Sequence, residues 1–186
     1  MTDFASPTRI FVAAFLAAGI CAAPLRAADT ALDELYRRLA DPDNGEWSRA
    51  QSDILRAWSK SGSALMDLLL RRGQEAIEAG DYPAAIDHLT ALTDHAPDFA
   101  EGWNARATAF FLAGQFGPSV ADIGRALALN PHHFQALAGL GMIFQQTGRD
   151  AEAIAAYRAS LAIHPHQERI RSALDQLERE GSGTEL

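Results

Sequence analysis

Residues 100–133 read AEGWNARATAFFLAGQFGPSVADIGRALALNPHH, and the same pattern of small and large side chains is written once before them and once after. Pro97, Pro131 and Pro165 mark the copies at a constant interval of 34 residues. Read back from each proline, Gly73, Ala107 and Gly141 align, as do Leu69, Trp103 and Leu137, Ala76, Phe110 and Phe144, Gly80, Gly114 and Gly148, Ala85, Ser119 and Ala153, and Leu89, Ile123 and Tyr157. A fixed period of this length means stacked supersecondary units rather than one irregular core.

Each column has a mechanical reason. Small residues at 73, 107 and 141 and at 85, 119 and 153 let two helices approach closely, where a Leu would hold them apart. The glycines at 80, 114 and 148 follow the last apolar position of a first helix, where a left-handed cap is needed. Leu69 with Ala76, Trp103 with Phe110 and Leu137 with Phe144 are seven apart on one helical face, and Leu89, Ile123 and Tyr157 oppose them from a second helix. Trp103 is accordingly expected in the core. The proline ends the second helix, because it has no amide donor and turns the residue before it away from helical geometry.

These columns resemble the tetratricopeptide repeat family, of the bacterial exported type, over residues 66 to 167. The resemblance implies an all-α fold: a right-handed α-solenoid of three helix pairs, at about 66–99, 100–133 and 134–167 within 64–165, whose first helices line a concave peptide-binding groove. Leu69 and Leu137 stand where the family often has Trp, Ser119 where it has Ala, and Arg72 and Arg106 where it often has Leu.

Outside the repeats, residues 29–62 are helical in pattern without carrying the columns. Leu32, Leu35 and Leu39 form one apolar stripe, and Trp47, Ala50, Ile54, Leu55 and Trp58 a second, separated by the turn-forming run Asp41 to Gly45. They are expected to form a helical hairpin capping the amino-terminal end of the stack, or a degenerate fourth repeat. Residues 166–180 carry the stripe Ile170, Leu174 and Leu177 opposite charged residues, as a capping helix should, and 181–186 read as a flexible tail.

The amino terminus has Arg9, an apolar run from Ile10 to Ala23, then Pro24 to Ala28. This resembles a secretory signal peptide over 1–27, cleaved after Ala27 or Ala28, and implies a periplasmic location; an uncleaved anchor is the alternative. Cys21, the only cysteine, falls inside it, so the mature chain is expected to have no disulfide and no thiolate metal ligand. With 16 basic and 24 acidic side chains the formal charge is −8, which argues against nucleic acid and anionic lipid as partners.

No nucleophile elbow, phosphate loop or helical His-pair signature is present, so the expectation is no catalytic residue, no cofactor and no metal. His132 with His133 and His164 with His166 fall in successive turns and read as exposed loop histidines. Arg106 and Asp122 face each other across the second repeat and are expected to form a structural ion pair, with a ligand role for Arg106 as the alternative. The groove is expected to be lined by Leu70, Gln74, Ile77, Asn104, Thr108, Phe111, Ala138, Met142 and Gln145. Relatives that grip acidic chaperone termini use lysine, arginine and asparagine there; Lys60 is this chain's only lysine and lies outside that set, so that clamp is absent. The reading is a non-catalytic adaptor or scaffold of the cell envelope that binds a peptide or protein segment. The alternatives are a self-associating homo-oligomeric subunit with an occluded groove, or an accessory subunit of an enzyme.

Overall fold

The computed structural model describes residues 23–183 apart from 42 and 44. The apolar run from Ile10 to Ala22, Cys21 within it, and residues 184–186 of the expected tail lie outside the described residues. Among the described residues the chain is all helix: α1 Ala23–Ala40, α2 Trp47–Trp58, α3 Ala64–Glu78, α4 Tyr82–His95, α5 Ala100–Leu112, α6 Phe116–Leu129, α7 Phe134–Gln146, α8 Asp150–Ile163 and α9 Glu168–Gly183. None of these is long and apolar enough to cross a membrane. The last helix runs on to Gly183, beyond the expected start of the tail at 181.

The helices pack as consecutive pairs, α3 with α4, α5 with α6 and α7 with α8, and each pair stacks on the next to make an α-solenoid. The turns follow from the glycine column: Gly80, Gly114 and Gly148 have φ of 75°, 73° and 69°, the left-handed region that a side chain would strain. After the first of these, Asp81 accepts from the Ala84 amide and Pro83 opens α4. The small column works by contact. A Cβ on Gly73 would lie 2.4 Å from the Leu89 side chain, and one on Gly141 2.4 Å from the Tyr157 ring. In the second pair Ser119 does the equivalent work, donating from its buried hydroxyl to the Ala107 carbonyl at 2.7 Å and stitching α6 to α5.

Trp103 differs from expectation. It is half-buried, its indole N–H donates to the Pro97 carbonyl at 2.9 Å, and the Arg106 and Arg125 guanidiniums lie 4.9 and 5.9 Å from its ring. The second repeat has traded a dry aromatic for a ring shared between core and cations.

The amino-terminal hairpin does not cap α3. Leu65 on α3 remains 60% exposed, and the hairpin's apolar stripes close instead on Phe134 at the start of α7 and Ile163 at the end of α8, with Leu39, Ala50 and Ile54 at the centre. The physical reason lies in what each surface offers. Beyond α3 stand exposed Arg71, Arg72 and Glu75, whereas the turns before α7 and after α8 offer Phe134 and four imidazoles to pack under Tyr36, Trp47 and Trp58. The linker is tied down by the Ser61 amide and hydroxyl, which both donate to Asp67 Oδ1 on α3, at 2.8 and 2.5 Å. Those bonds hold the Asp67 carboxyl below its ordinary pKa.

Candidate functional site

The first helices α3, α5 and α7 enclose a concave cavity of about 560 Å³. Residues one helical repeat apart give it parallel rows: Gln74, Thr108 and Met142 run down the middle, Ile77 and Phe111 lie a turn further on, and Glu101 and Gln135 stand at the other end. Of the nine residues expected from the sequence, Gln74, Ile77, Asn104, Thr108, Phe111 and Met142 come together here. The remaining three do not.

Leu70 is 2% exposed and sits in the core with Ala105 and Ala109 of α5. Its column lies where one first helix meets the next, so an apolar side chain turns into that contact while the polar Asn104 stays at the cavity. Ala138, in the same column, is buried and too short to reach it. Gln145 lines a neighbouring cavity between α2, α7 and α9, and its side-chain oxygen accepts from the Tyr157 hydroxyl at 2.7 Å. Glu78 and Ile143 also line the cavity of α3, α5 and α7 without having been expected, and so do two further residues missed in the sequence, Glu101 and Gln135. These last two occupy one repeat column, three residues before Asn104 and Ala138, and the i, i+3 relation to that column was the available signal.

The cavity's chemistry is apolar with amide edges. Ile77, Phe111, Met142 and Ile143 supply the apolar surface; Met142 is 38% exposed, and Phe111 packs on Phe116 with ring centroids 5.8 Å apart. The side-chain amides of Gln74, Asn104 and Gln135 make no hydrogen bond within the described residues. Thr108 has its hydroxyl donated to the Asn104 carbonyl at 3.0 Å, which leaves the oxygen's lone pairs for another donor.

Arg106 does not face this cavity. Its Nε and Nη2 donate to the two Asp122 oxygens at 2.7 and 2.8 Å, and its Nη1 donates to Thr93 Oγ1 at 2.8 Å. The pair is 14% and 8% exposed, so one guanidinium binds α4, α5 and α6 together behind the groove. Arg106 is thus paired with Asp122 and does not line the groove cavity.

Two of the four turn histidines differ from expectation. His133 and His164 are 0% and 2% exposed. His133 stacks on Trp58 at 4.4 Å, accepts the Ala136 amide on Nδ1 as the cap of α7, and so donates from Nε2 to Glu101 at 3.0 Å. His132 stacks on Tyr36 at 4.7 Å and His166 on Trp47 at 4.7 Å, with His166 Nε2 donating to the Asp41 carbonyl at 3.1 Å. His164 lies edge-on to Phe134 at 4.9 Å, with Nε2 donating to Gln51 Oε1 at 3.1 Å and a buried Nδ1 that has no partner. Burial, with His166 beside it, pushes the His164 pKa down to about 4. Among the described residues no group of three or more His, Cys, Asp or Glu could hold a metal ion.

This hairpin edge borders the groove. Leu55, Arg56 and Ser59 of the hairpin meet Gln74, Glu101 and Gln135 across a smaller hollow, while Trp47 and Gln51 face Gln135 and Met142 across the cavity next to α9. No described hairpin residue lines the cavity of α3, α5 and α7.

A tetratricopeptide repeat family model matches residues 70–117 and 113–168. The chain belongs to the tetratricopeptide repeat family. It is 35% identical over 155 residues to a TPR repeat-containing protein of Rhizobium etli, covering 82% of this chain and 75% of that one. In solved structures the first TPR domain of Spaghetti bound to an HSP90 peptide, SRMEEVD, superimposes with TM-score 0.62 at 24% identity, over 64% of this chain and 98% of that one. MamA superimposes with TM-score 0.59 at 22% identity, over 83% of this chain and 84% of that one. At these identities the likeness is one of fold.

Proposed function

We propose that this protein is a non-catalytic adaptor that holds a segment of a partner protein in the concave groove of α3, α5 and α7. One observation carries the reading: a cavity of about 560 Å³ presents Ile77, Phe111 and Met142 beside the unbonded amides of Gln74, Asn104 and Gln135. Apolar surface left accessible between polar edges is what a partner side chain buries, and free amides satisfy the backbone of a chain that brings no secondary structure of its own. The Spaghetti domain holding a seven-residue peptide has the same fold. The amino-terminal sequence, Arg9 followed by an apolar run and small residues to Ala28, supports export to the periplasm and work in the cell envelope.

The test is comparative. Replacing Phe111 and Met142 together by Ser is expected to leave helicity intact at assay temperature, yet to remove the proteins that wild type crosslinks in the exported fraction. Equal recovery by the double variant would place binding on another face. Mass spectrometry of the native protein checks export, with the expected amino terminus at Ala28 or Asp29; an intact Met1 would refute it.

A further inference from the structure

The charge around the cavity is one-sided, and it points to a particular kind of segment. Glu78 and Glu101 line the cavity, and no lysine or arginine does. Glu78 is the final residue of α3, where carbonyl groups already make a helix end negative and a carboxylate is unfavourable. No cation relieves it: among the described residues Glu78 has no salt bridge, and the last turns of α3, α5 and α7 contain no basic residue. Cations usually occupy that place because they gain from the helix dipole. Here α3 and α5 leave it open at the end of the groove lined by Ile77, Glu78 and Phe111, while at the end of α7 the Arg149 guanidinium lies 4.2 Å from the Phe144 ring.

Arg106 is held by Asp122 and Thr93 behind the groove, and Arg56 on the hairpin is bonded to Asp53 at 2.9 Å. The whole chain carries a formal −8. The peptide in the Spaghetti complex, SRMEEVD, is acidic through its last residues. Laid in this groove, such carboxylates would meet Glu78, Glu101 and the negative ends of α3 and α5, which have no basic residue in their last turns.

We propose that the groove selects a cationic segment: a lysine or arginine placed against Glu78 and the carbonyl ends of α3 and α5, next to an apolar side chain on Phe111 and Met142, with the segment's backbone on Asn104. This rests on the groove reading above and adds the chemistry of the partner. The arrangement uses each group for what it does well. The apolar contact supplies buried area, the amide fixes register, and the negative field chooses the sign of charge and speeds encounter.

The experiment is selection of a random displayed peptide library on the purified chain and, in parallel, on Phe111→Ser/Met142→Ser and on Glu78→Gln. Expected is a several-fold rise in lysine plus arginine over aspartate plus glutamate among recovered peptides, relative to the unselected library. A recovered cationic peptide should bind Glu78→Gln about two- to fivefold more weakly, the range for an exposed charge pair, and lose that difference in high salt. Peptides that require Phe111 and Met142 but show no cationic bias, or an acidic one, overturn this proposal and leave the groove reading standing. Peptides recovered equally by the Phe111/Met142 double variant, or none enriched at all, overturn the groove reading and this proposal with it.

Discussion

Lowering the pH should loosen the amino-terminal hairpin, and His164 is the group through which the effect can be measured. The perturbation is a move from pH 7.5 to pH 4.5 in wild type and in His164→Gln. His164 is docked neutral between Trp47 and Phe134, 2% exposed, with Nε2 on Gln51 and no group on Nδ1 to receive a proton's bond. Its folded pKa of about 4 lies below the ordinary 6.5. The sign follows. A histidine whose folded pKa is depressed contributes stability that is present above the unfolded value and is lost as pH falls from 6.5 towards 4. Linkage between those two values makes the loss about 2.5 kcal/mol at pH 4.5 and almost nothing at pH 7.5. Glu168 and Arg169, which share the adjoining cavity, are common to both proteins and cancel in the comparison, whereas His166, which stacks on Trp47, acts on the charge of His164 itself and belongs to the difference. Urea unfolding followed by helicity, with hydrogen exchange over residues 31–58, reads global and hairpin stability separately. Wild type should lose about 2.5 kcal/mol more between the two pH values than His164→Gln does. Identical pH slopes in the two proteins would refute the assignment, and so would hairpin amides whose protection is independent of pH.

Asp122→Ala leaves the Arg106 guanidinium without its carboxylate at 14% exposure, and is expected to cost about 3 kcal/mol, the low end for a broken buried pair because Thr93 still accepts one bond. Arg106→Met/Asp122→Ala should recover much of that loss in urea titration, and a double variant as unstable as the single one would show that the pair is not the source. Gly141→Ala places a methyl 2.4 Å from the Tyr157 ring and should cost about 1–3 kcal/mol, whereas Gly139→Ala, whose methyl meets Ile123 at 3.8 Å, should be neutral or slightly stabilising. Equal midpoints for the two variants would mean that α7 and α8 can part without cost.

The repeat core was legible because its constraints are local and written three times. Gly80, Gly114 and Gly148 reach positive φ for a reason each turn carries in itself, and Gly73 and Gly141 touch Leu89 and Tyr157 within their own helix pairs. The groove was legible to the extent that a column points one way. Gln74, Thr108 and Met142 all line the cavity, but the column of Leu70, Asn104 and Ala138 lies on the boundary between groove and helix contact, and there the side chain's own polarity decides which way it goes. Periodicity fixes the angle around the helix to within a residue, and a boundary position needs more than that.

The hairpin was illegible for the opposite reason, since its docking depends on a match between stripes more than seventy residues apart. Trp47 and Trp58 are eleven residues apart, three helical turns, and so share a face of α2; His133 and His164 are presented at nearly one repeat spacing along the edge of the stack. The two spacings fit one another, and the hairpin buries its aromatic rings on the imidazoles rather than on the charged outer face of α3. That choice has a consequence for the groove. Glu101 accepts from His133, whose ring lies under Trp58, and the same Glu101 lines the cavity of α3, α5 and α7. Gln135 likewise faces α2 on one side and the cavity on the other. The hairpin thus positions the Glu101 carboxylate through His133, while its described residues fill none of the cavity of α3, α5 and α7, and a change that releases the hairpin acts on the groove through the position of that carboxylate.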